Sequence, residues 1–269
     1  KRSANKDADM EKVLEYVNNS FESAEEQAAF DVYDANNINP LYGFFVARAG
    51  LGASESMRSK LAEYNDPRLS RAFITKQGTS GKEQAPGTAD NAVYAPNGTP
   101  EQGTSKYGTS LFMYSISAPT LLLSYHELKF LEAEALCRLE RDAKSALKDA
   151  VVAGLLNAEN SFTISRKELG KTLINAASSI TEAEAESYFD NTIEAKYTAE
   201  PLKTTMTQKY FALWGASGEA TESYNDVRRM KGLGENFIEL KNPNSFPLRC
   251  PYGNSDTTTN AEVKAAYGN

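Results

Sequence analysis

Apolar residues recur along most of this chain at helical rather than strand spacing. Met10, Val13, Leu14, Val17 and Phe21 fall at i, i+3, i+4, i+7 and i+11, and predict an amphipathic helix starting near Asp7. Asn36-Asn37-Ile38-Asn39-Pro40 interrupts it, because Asn bonds its own backbone and the residue before Pro avoids the helical region. A short helix is expected over 54–64, packing through Met57 and Leu61, and Asn65-Asp66-Pro67-Arg68 reads as a turn.

The strongest pattern lies in the middle of the chain. Leu128, Leu131, Ala135 and Leu139 mark one stripe, and Phe130, Ala133 and Cys137 the neighbouring one. After Glu140-Arg141, Asp142 reads as an N-cap for a helix through Ala143, Ala146, Leu147, Ala150, Val151 and Leu155. The segments 124–139 and 142–155 are therefore expected to pack antiparallel, close together because alanines line the crossing, as in a tetratricopeptide-type hairpin. No second copy of a 34-residue repeat is visible. Thr181-Glu182-Ala183-Glu184 has capping-box spacing and should open a helix through Phe189. Pro201 suits a first helical turn that continues through Leu202, Met206, Tyr210 and Leu213 to a stop at Gly215. A last helix from about Gly218 to Gly232 is expected to turn Tyr224 and Val227 inward, and an extended, turn-rich tail follows. The fold class expected is all-α, one domain over residues 1–269. Within it, 76–117 is rich in Gly, Thr, Ser, Pro, Asn and Gln and reads as a long polar loop.

Composition narrows the function. Hydrophobic residues at 41% and charged residues at 24% of 269 describe an ordinary globular chain. A net charge of −7 and a pI near 5.0 argue against nucleic acid as a partner. No apolar run approaches the ~20 residues of a membrane span, the strongest being 119–123. The opening Lys1-Arg2-Ser3, with neither Met nor an apolar stretch, is expected to follow a processing site or cut. Two cysteines in this length make no disulfide framework and leave the redox compartment open.

The chemistry-bearing residues favour bland roles. His126 is the only histidine, which removes multi-histidine metal sites and leaves one base for any triad; at a helix start it reads as a partly exposed structural residue. Gly50-Leu51-Gly52 is no phosphate loop, and Asp34-Ala35-Asn36 lacks the Gly and Glu of a calcium loop. Glu132 and Glu134 point to different sides of a helix and read as surface carboxylates, solvated or salt-bridged. Glu222, Asp226 and Arg229 share a face and are expected to form a charged network with neighbouring elements. Trp214 reads as a core anchor and Cys137 as a buried free thiol. No catalytic residue, metal or cofactor is expected. Sugars stack on planar aromatic rings beside hydrogen-bonding side chains, so Tyr94 and Tyr107, amid the polar residues of 76–117, are the ligand-binding candidates; the alternative is that they pack this region onto the helices.

Five segments in order resemble the SusD-like (SusD/RagB) family of outer-membrane nutrient-binding lipoproteins. They are Asn39-Pro40-Leu41-Tyr42 with Asn65-Asp66-Pro67-Arg68-Leu69; Pro119 through Tyr125-His126-Glu127 to Phe130 and Ala133-Glu134-Ala135; Gln208-Lys209-Tyr210-Phe211-Ala212-Leu213-Trp214; Glu222-Ser223-Tyr224-Asn225-Asp226-Val227-Arg228-Arg229; and Phe246-Pro247-Leu248-Arg249 with Pro251-Tyr252. The resemblance covers nearly the whole chain and corresponds to the family's C-terminal half. Ser124, His126 and Tyr224 replace the usual Thr, Ala and Trp, which leaves the ligand class open. The resemblance implies an α/α superhelix of tetratricopeptide-like hairpins with long irregular loops, binding poly- or oligosaccharide without catalysis. It also implies a lipid anchor at the outer-membrane surface and a SusC-like TonB-dependent transporter as partner. A helical-repeat interaction scaffold is the first alternative and a two-carboxylate hydrolase the second.

Overall fold

A computed structural model describes residues 6–48, 52–77, 82–84, 94–98, 107–170, 177–215, 218–241 and 252–267. The architecture is mainly helical. Helix α1 (Lys6–Asn18) lays Met10, Val13, Leu14 and Val17 toward the interior, then a short 3₁₀ turn (Ala24–Glu26) and strand β1 (Ala28–Phe30) follow. Helix α2 (Pro40–Arg48) was not marked by periodicity, yet Asn39 starts it: its Oδ1 accepts the Leu41 amide at 2.8 Å, and its Nδ2 donates to the Ala118 carbonyl at 2.7 Å. Helix α3 (Glu55–Glu63) begins at Ser54, whose hydroxyl accepts the Met57 amide, and buries Met57 and Leu61 as its spacing predicts.

The stretch read as a long loop carries more structure than its composition suggests. Strands β2 (Phe73–Gln77), β3 (Lys82–Gln84) and β4 (Thr109–Ser110) form a small antiparallel sheet in the order β3-β2-β4, and a 3₁₀ turn (Leu111–Tyr114) follows. Leu111, Phe112 and Tyr114 are buried there, which is why a segment poor in periodicity is still held. The parts at 78–81, 85–93 and 99–106 lie outside the described residues. Strand β5 (Thr120–Leu123) pairs antiparallel with β1.

The predicted hairpin is present as α4 (Tyr125–Arg138) and α5 (Lys144–Leu169). These two make the most extensive helix contact, with α1 and the later helix α8 (Pro201–Ala212) also on α4. Asp142 lies just before the helix and accepts the Lys144 amide at 3.0 Å. Helix α5 outruns its expected end at 155, because Ala158, Phe162, Ser165 and Leu169 continue the same buried stripe. Helix α6 (Glu182–Tyr188) is capped by the Thr181 hydroxyl accepting the Glu184 amide, as its capping-box spacing indicates. It runs through a π turn (Phe189–Ile193) into α7 (Glu194–Ala199).

Helix α9 (Ala220–Leu233) buries Val227 and Met230, but Tyr224 is 43% exposed, contrary to the inward placement expected of it. Three residues back from Val227 on a 3.6-residue helix, it lies round the solvent edge of the stripe. The tail is not extended throughout: α10 (Asn254–Thr259) and α11 (Ala261–Tyr267) occupy its end. Residues 242–251, with most of the closing family segment and Cys250, lie outside the described residues.

The core is a ladder of rings. Phe130, Phe162, Phe189 and Phe211 are fully buried. Phe112 packs at a tilt against Phe162 (centroids 4.7 Å) and edge-to-face against Trp214 (5.2 Å), and Trp214 lies tilted on Phe73 (5.3 Å), so the half-buried Trp214 is anchored between two core rings. Gly215 makes this possible: its φ is +80°, and a Cβ there would lie 2.4 Å from the Phe112 ring. Gly154 lets α5 meet α8, since a Cβ would sit 2.9 Å from that of Ala212. Cys137 is free and half-buried.

Ala133 is fully inaccessible on α4, where it faces the α5 crossing. Ala133→Leu is therefore expected to destabilise the protein by ~1–3 kcal/mol through overpacking. Equilibrium urea unfolding checks this, and a change below ~0.5 kcal/mol would show that the helices do not meet there.

A buried ion network and an open groove

The charged residues of the family segments meet inside the protein. Lys209, on α8 and 2% exposed, places Nζ 2.9 Å from Glu127 Oε1 of α4 and 2.9 Å from Asp226 Oδ2 of α9. Asp226 also accepts from Arg229 Nη2 at 2.7 Å, and Arg229 Nη2 donates to Glu134 Oε2 at 2.8 Å. Glu134 accepts from Arg138 Nε at 2.6 Å, and Arg138 reaches Glu235 at 2.9 Å. The result is an alternating chain, Glu127, Lys209, Asp226, Arg229, Glu134, Arg138, Glu235, that ties three helices together.

This bears out the network expected of Asp226 and Arg229, whereas Glu222, expected to join them, instead accepts from the Asn225 side-chain amide at 3.3 Å. It corrects the reading of Glu134 as a surface carboxylate: the side chain is buried and bridges two guanidinium groups. The i, i+2 offset from Glu132 has the physical consequence expected, since Glu132 sits outside and pairs with Lys129. Burial alone would raise the Glu134 pKa, but Arg229 and Arg138 hold it below the ordinary carboxylate value. Burial likewise opposes the charge on Lys209, and Glu127, Asp226 and Glu134 outweigh it and raise its pKa.

A second buried set lies beside the first. Asp66 accepts from Arg68 Nε at 2.9 Å and Nη2 at 2.7 Å, while Arg68 Nη1 donates to the Phe211 carbonyl at 2.7 Å. The Asn65-Asp66-Pro67-Arg68 turn is thereby bolted to the end of α8, and Arg71 extends the contact to Ser178 and Glu184.

His126 is 1% exposed, not partly exposed as its place at a helix start suggested. Ser124 caps α4, so His126 falls in the first turn, on the side that faces α5 near Gly154. Its Nε2 lies 3.7 Å from Glu219 Oε2, and neither atom has a hydrogen-bond partner. Glu219 Oε1 accepts the Ser124 amide at 2.5 Å, a link the sequence reading missed because no local spacing marks it. Burial, with Arg68 and Lys209 nearby, lowers the His126 pKa to about 3; burial raises that of Glu219.

Tyr94 is half-buried, edge-on to Phe73 (5.2 Å) and with the Arg58 guanidinium 5.8 Å from its ring centre. Tyr107 is 9% exposed. Both lie where the 76–117 region joins the core.

A well-formed cavity lies elsewhere among the described residues. A groove of about 610 Å³ runs between α5, the start of α4, the 22–27 turn and α6, with Gln27, Tyr125, Val152, Leu156, Asn157 and Asn160 among its walls. Among the described residues no group of three or more His, Cys, Asp or Glu is placed to hold a metal.

Lys209→Met should cost ~3–5 kcal/mol, because it leaves Glu127 buried and uncompensated. Adding Glu127→Leu should restore part of this, and the coupling energy from a denaturation cycle is the measurement. The His126 sign follows from linkage. Between pH 6.5 and about 3 the unfolded imidazole takes a proton that the folded one refuses, so stability falls on acidification by about 1.4 kcal/mol per unit. Glu219, whose pKa is raised, offsets part of that fall. His126→Asn should flatten the decline between pH 6 and 4, read as Tm against pH; parallel curves would contradict it.

Residues 1–252 match the family model described as starch-binding and associating with the outer membrane, of SusD-like type. A SusD/RagB family protein of Bacteroides thetaiotaomicron is 64% identical, with a TM-score of 0.89 over 99% of this chain and 57% of that one. An outer-membrane protein of Bacteroides vulgatus described in terms of nutrient binding is 20% identical (TM-score 0.62, 91% and 54% covered), and a chitin-binding protein 19% identical (0.55, 93% and 54%); these two speak to fold alone. None of the curated proteins matches. The chain spans little more than half the length of these solved structures. With the model covering nearly all of it and the motif residues building its buried network, this chain belongs to the SusD-like family.

Proposed function

We propose that residues 1–269 act as one non-catalytic unit of a surface lipoprotein that binds nutrient glycan at the outer membrane. In this reading it passes the ligand to a SusC-like TonB-dependent transporter. The observation that carries the reading is the family match over residues 1–252, whose description names starch binding and outer-membrane association. The geometry is compatible in a specific way. A helical frame locked by buried ions holds its surface segments rigidly, and rigid frames commonly present binding residues on connecting segments.

Tyr94 and Tyr107 are kept as ligand contacts within the 76–117 region, with different weights. Tyr94 retains exposed ring surface beside Arg58, an arrangement that suits stacking on a pyranose with a donor alongside. Tyr107 is mostly enclosed and supports the region from below.

The test is calorimetric titration of the full-length polypeptide with maltoheptaose and N-acetylchitohexaose, with product analysis for hydrolysis. Tyr94→Ala is expected to weaken binding roughly tenfold, about 1.4 kcal/mol, with little change in Tm. Tyr107→Ala is expected to lower stability by roughly 3 kcal/mol. Unchanged affinity in Tyr94→Ala would move the site, and sugar turnover would contradict a binding role.

A further inference from the structure

We propose that the groove between α5 and the 22–27 turn is a second ligand site, one that accepts an uncharged oligosaccharide and turns away acidic glycans. The proposal rests on the nutrient-binding reading above and goes beyond it to a place and a ligand class.

Helix α5 has two working faces. Leu147, Ala150, Val151, Gly154, Leu155 and Ala158 bury one of them in the core. Asp149, Val152, Leu156 and Asn160 recur at spacings of three and four on the other, with Ala153 and Asn157 four apart beside them, and together they line the groove. Val152 and Leu156 give this wall an apolar strip, and two amides follow it along the helix. Tyr125, the first residue of α4, stands on another side with its ring half-buried, and Gln27 beside it accepts the Tyr125 amide at 3.2 Å. Among the described residues the amides of Asn157 and Asn160 and the hydroxyl of Tyr125 hydrogen-bond to no protein atom. Apolar strip, aromatic ring and uncommitted donors and acceptors within about 610 Å³ meet the needs of a sugar ring, which has apolar faces and a hydroxyl rim. The volume lies in the ~300–1,000 Å³ range of ligand pockets.

Charge sets the class. Glu22, Glu25, Asp149, Glu182 and Glu186 line the groove against Lys148, whose ammonium is already paired with Asp190 at 2.7 Å; Asp149 is bridged to Lys129 at 3.5 Å, so the negative lining rests on the four glutamates. Ser23 holds the Glu25 carboxyl below its ordinary pKa, which keeps it ionised. Carboxylates accept hydrogen bonds from neutral hydroxyls but repel uronate and sulfate groups.

The experiment titrates the full-length polypeptide with maltoheptaose, N-acetylchitohexaose and an oligogalacturonate. N157A/N160A lies on the helix surface and should leave Tm unchanged while weakening the neutral probe roughly tenfold. A153W, which fills the groove, should weaken it at least as much. Oligogalacturonate should not bind wild type, and E182Q/E186Q should admit it. If Y94A removes all binding of the neutral probes while the groove variants bind as wild type, the groove proposal fails and the nutrient-binding reading stands. If neither neutral probe binds wild type, both fail. A thiol introduced by N160C that resists maleimide in the ligand-free polypeptide would show the groove filled by protein, and would also overturn it.

Discussion

The ammonium of Lys209 is the constraint on which the rest of this structure leans. Removing a cation from water costs several kcal/mol, and the cost is met only when its counter-ions are held at hydrogen-bond distance. Here they come from two other helices, Glu127 of α4 and Asp226 of α9, each 2.9 Å away. Apolar stripes let neighbouring helices slide by a turn at modest cost, because one Leu or Ala contact resembles the next. A buried ammonium between two carboxylates tolerates no such slip. The network therefore sets the register of α4, α8 and α9, while the rings of Phe112, Phe162 and Trp214 pack within the large apolar core beside it.

The same constraint explains why the family is visible as short, scattered motifs. Asp66 and Arg68 lie in one segment, Glu127 and Glu134 in another, Lys209 in a third, Asp226 and Arg229 in a fourth, and they touch one another or adjacent backbone in the interior. A change at any one leaves a partner buried and unpaired. Apolar positions between them have more latitude, since cores accept volume-conserving exchange.

This also marks what the sequence could and could not say. Local signals were legible: the stripes of α4 and α5, the cap at Thr181, Pro201 opening α8, and the shared face of Asp226 and Arg229. Each depends only on residues within a few turns. The misses are non-local. Glu134 read as a surface carboxylate because its partner Arg229 is far along the chain, and His126 read as partly exposed because the residue it faces, Glu219, is equally remote. Glu219 gave no signal at all, since its bond to the Ser124 amide obeys no periodicity. For Tyr94 and Tyr107 the polar setting was legible, but their packing depends on Phe73 and on a sheet whose strands are two to five residues long.

Rigidity and variability are divided between opposite sides of the helical hairpin. The side of α4 that carries Glu127 and Glu134 is committed, because every charge on it has a partner on another helix. On the outer stripe of α5 only Asp149 carries such an obligation, to Lys129 of α4. Val152, Leu156, Asn157 and Asn160 face the groove, and replacing an amide there disturbs no ion pair. A frame of this kind can hold its register while its surface chemistry changes residue by residue. The register is fixed by charges that cannot be moved one at a time, and the groove wall is built from side chains that can.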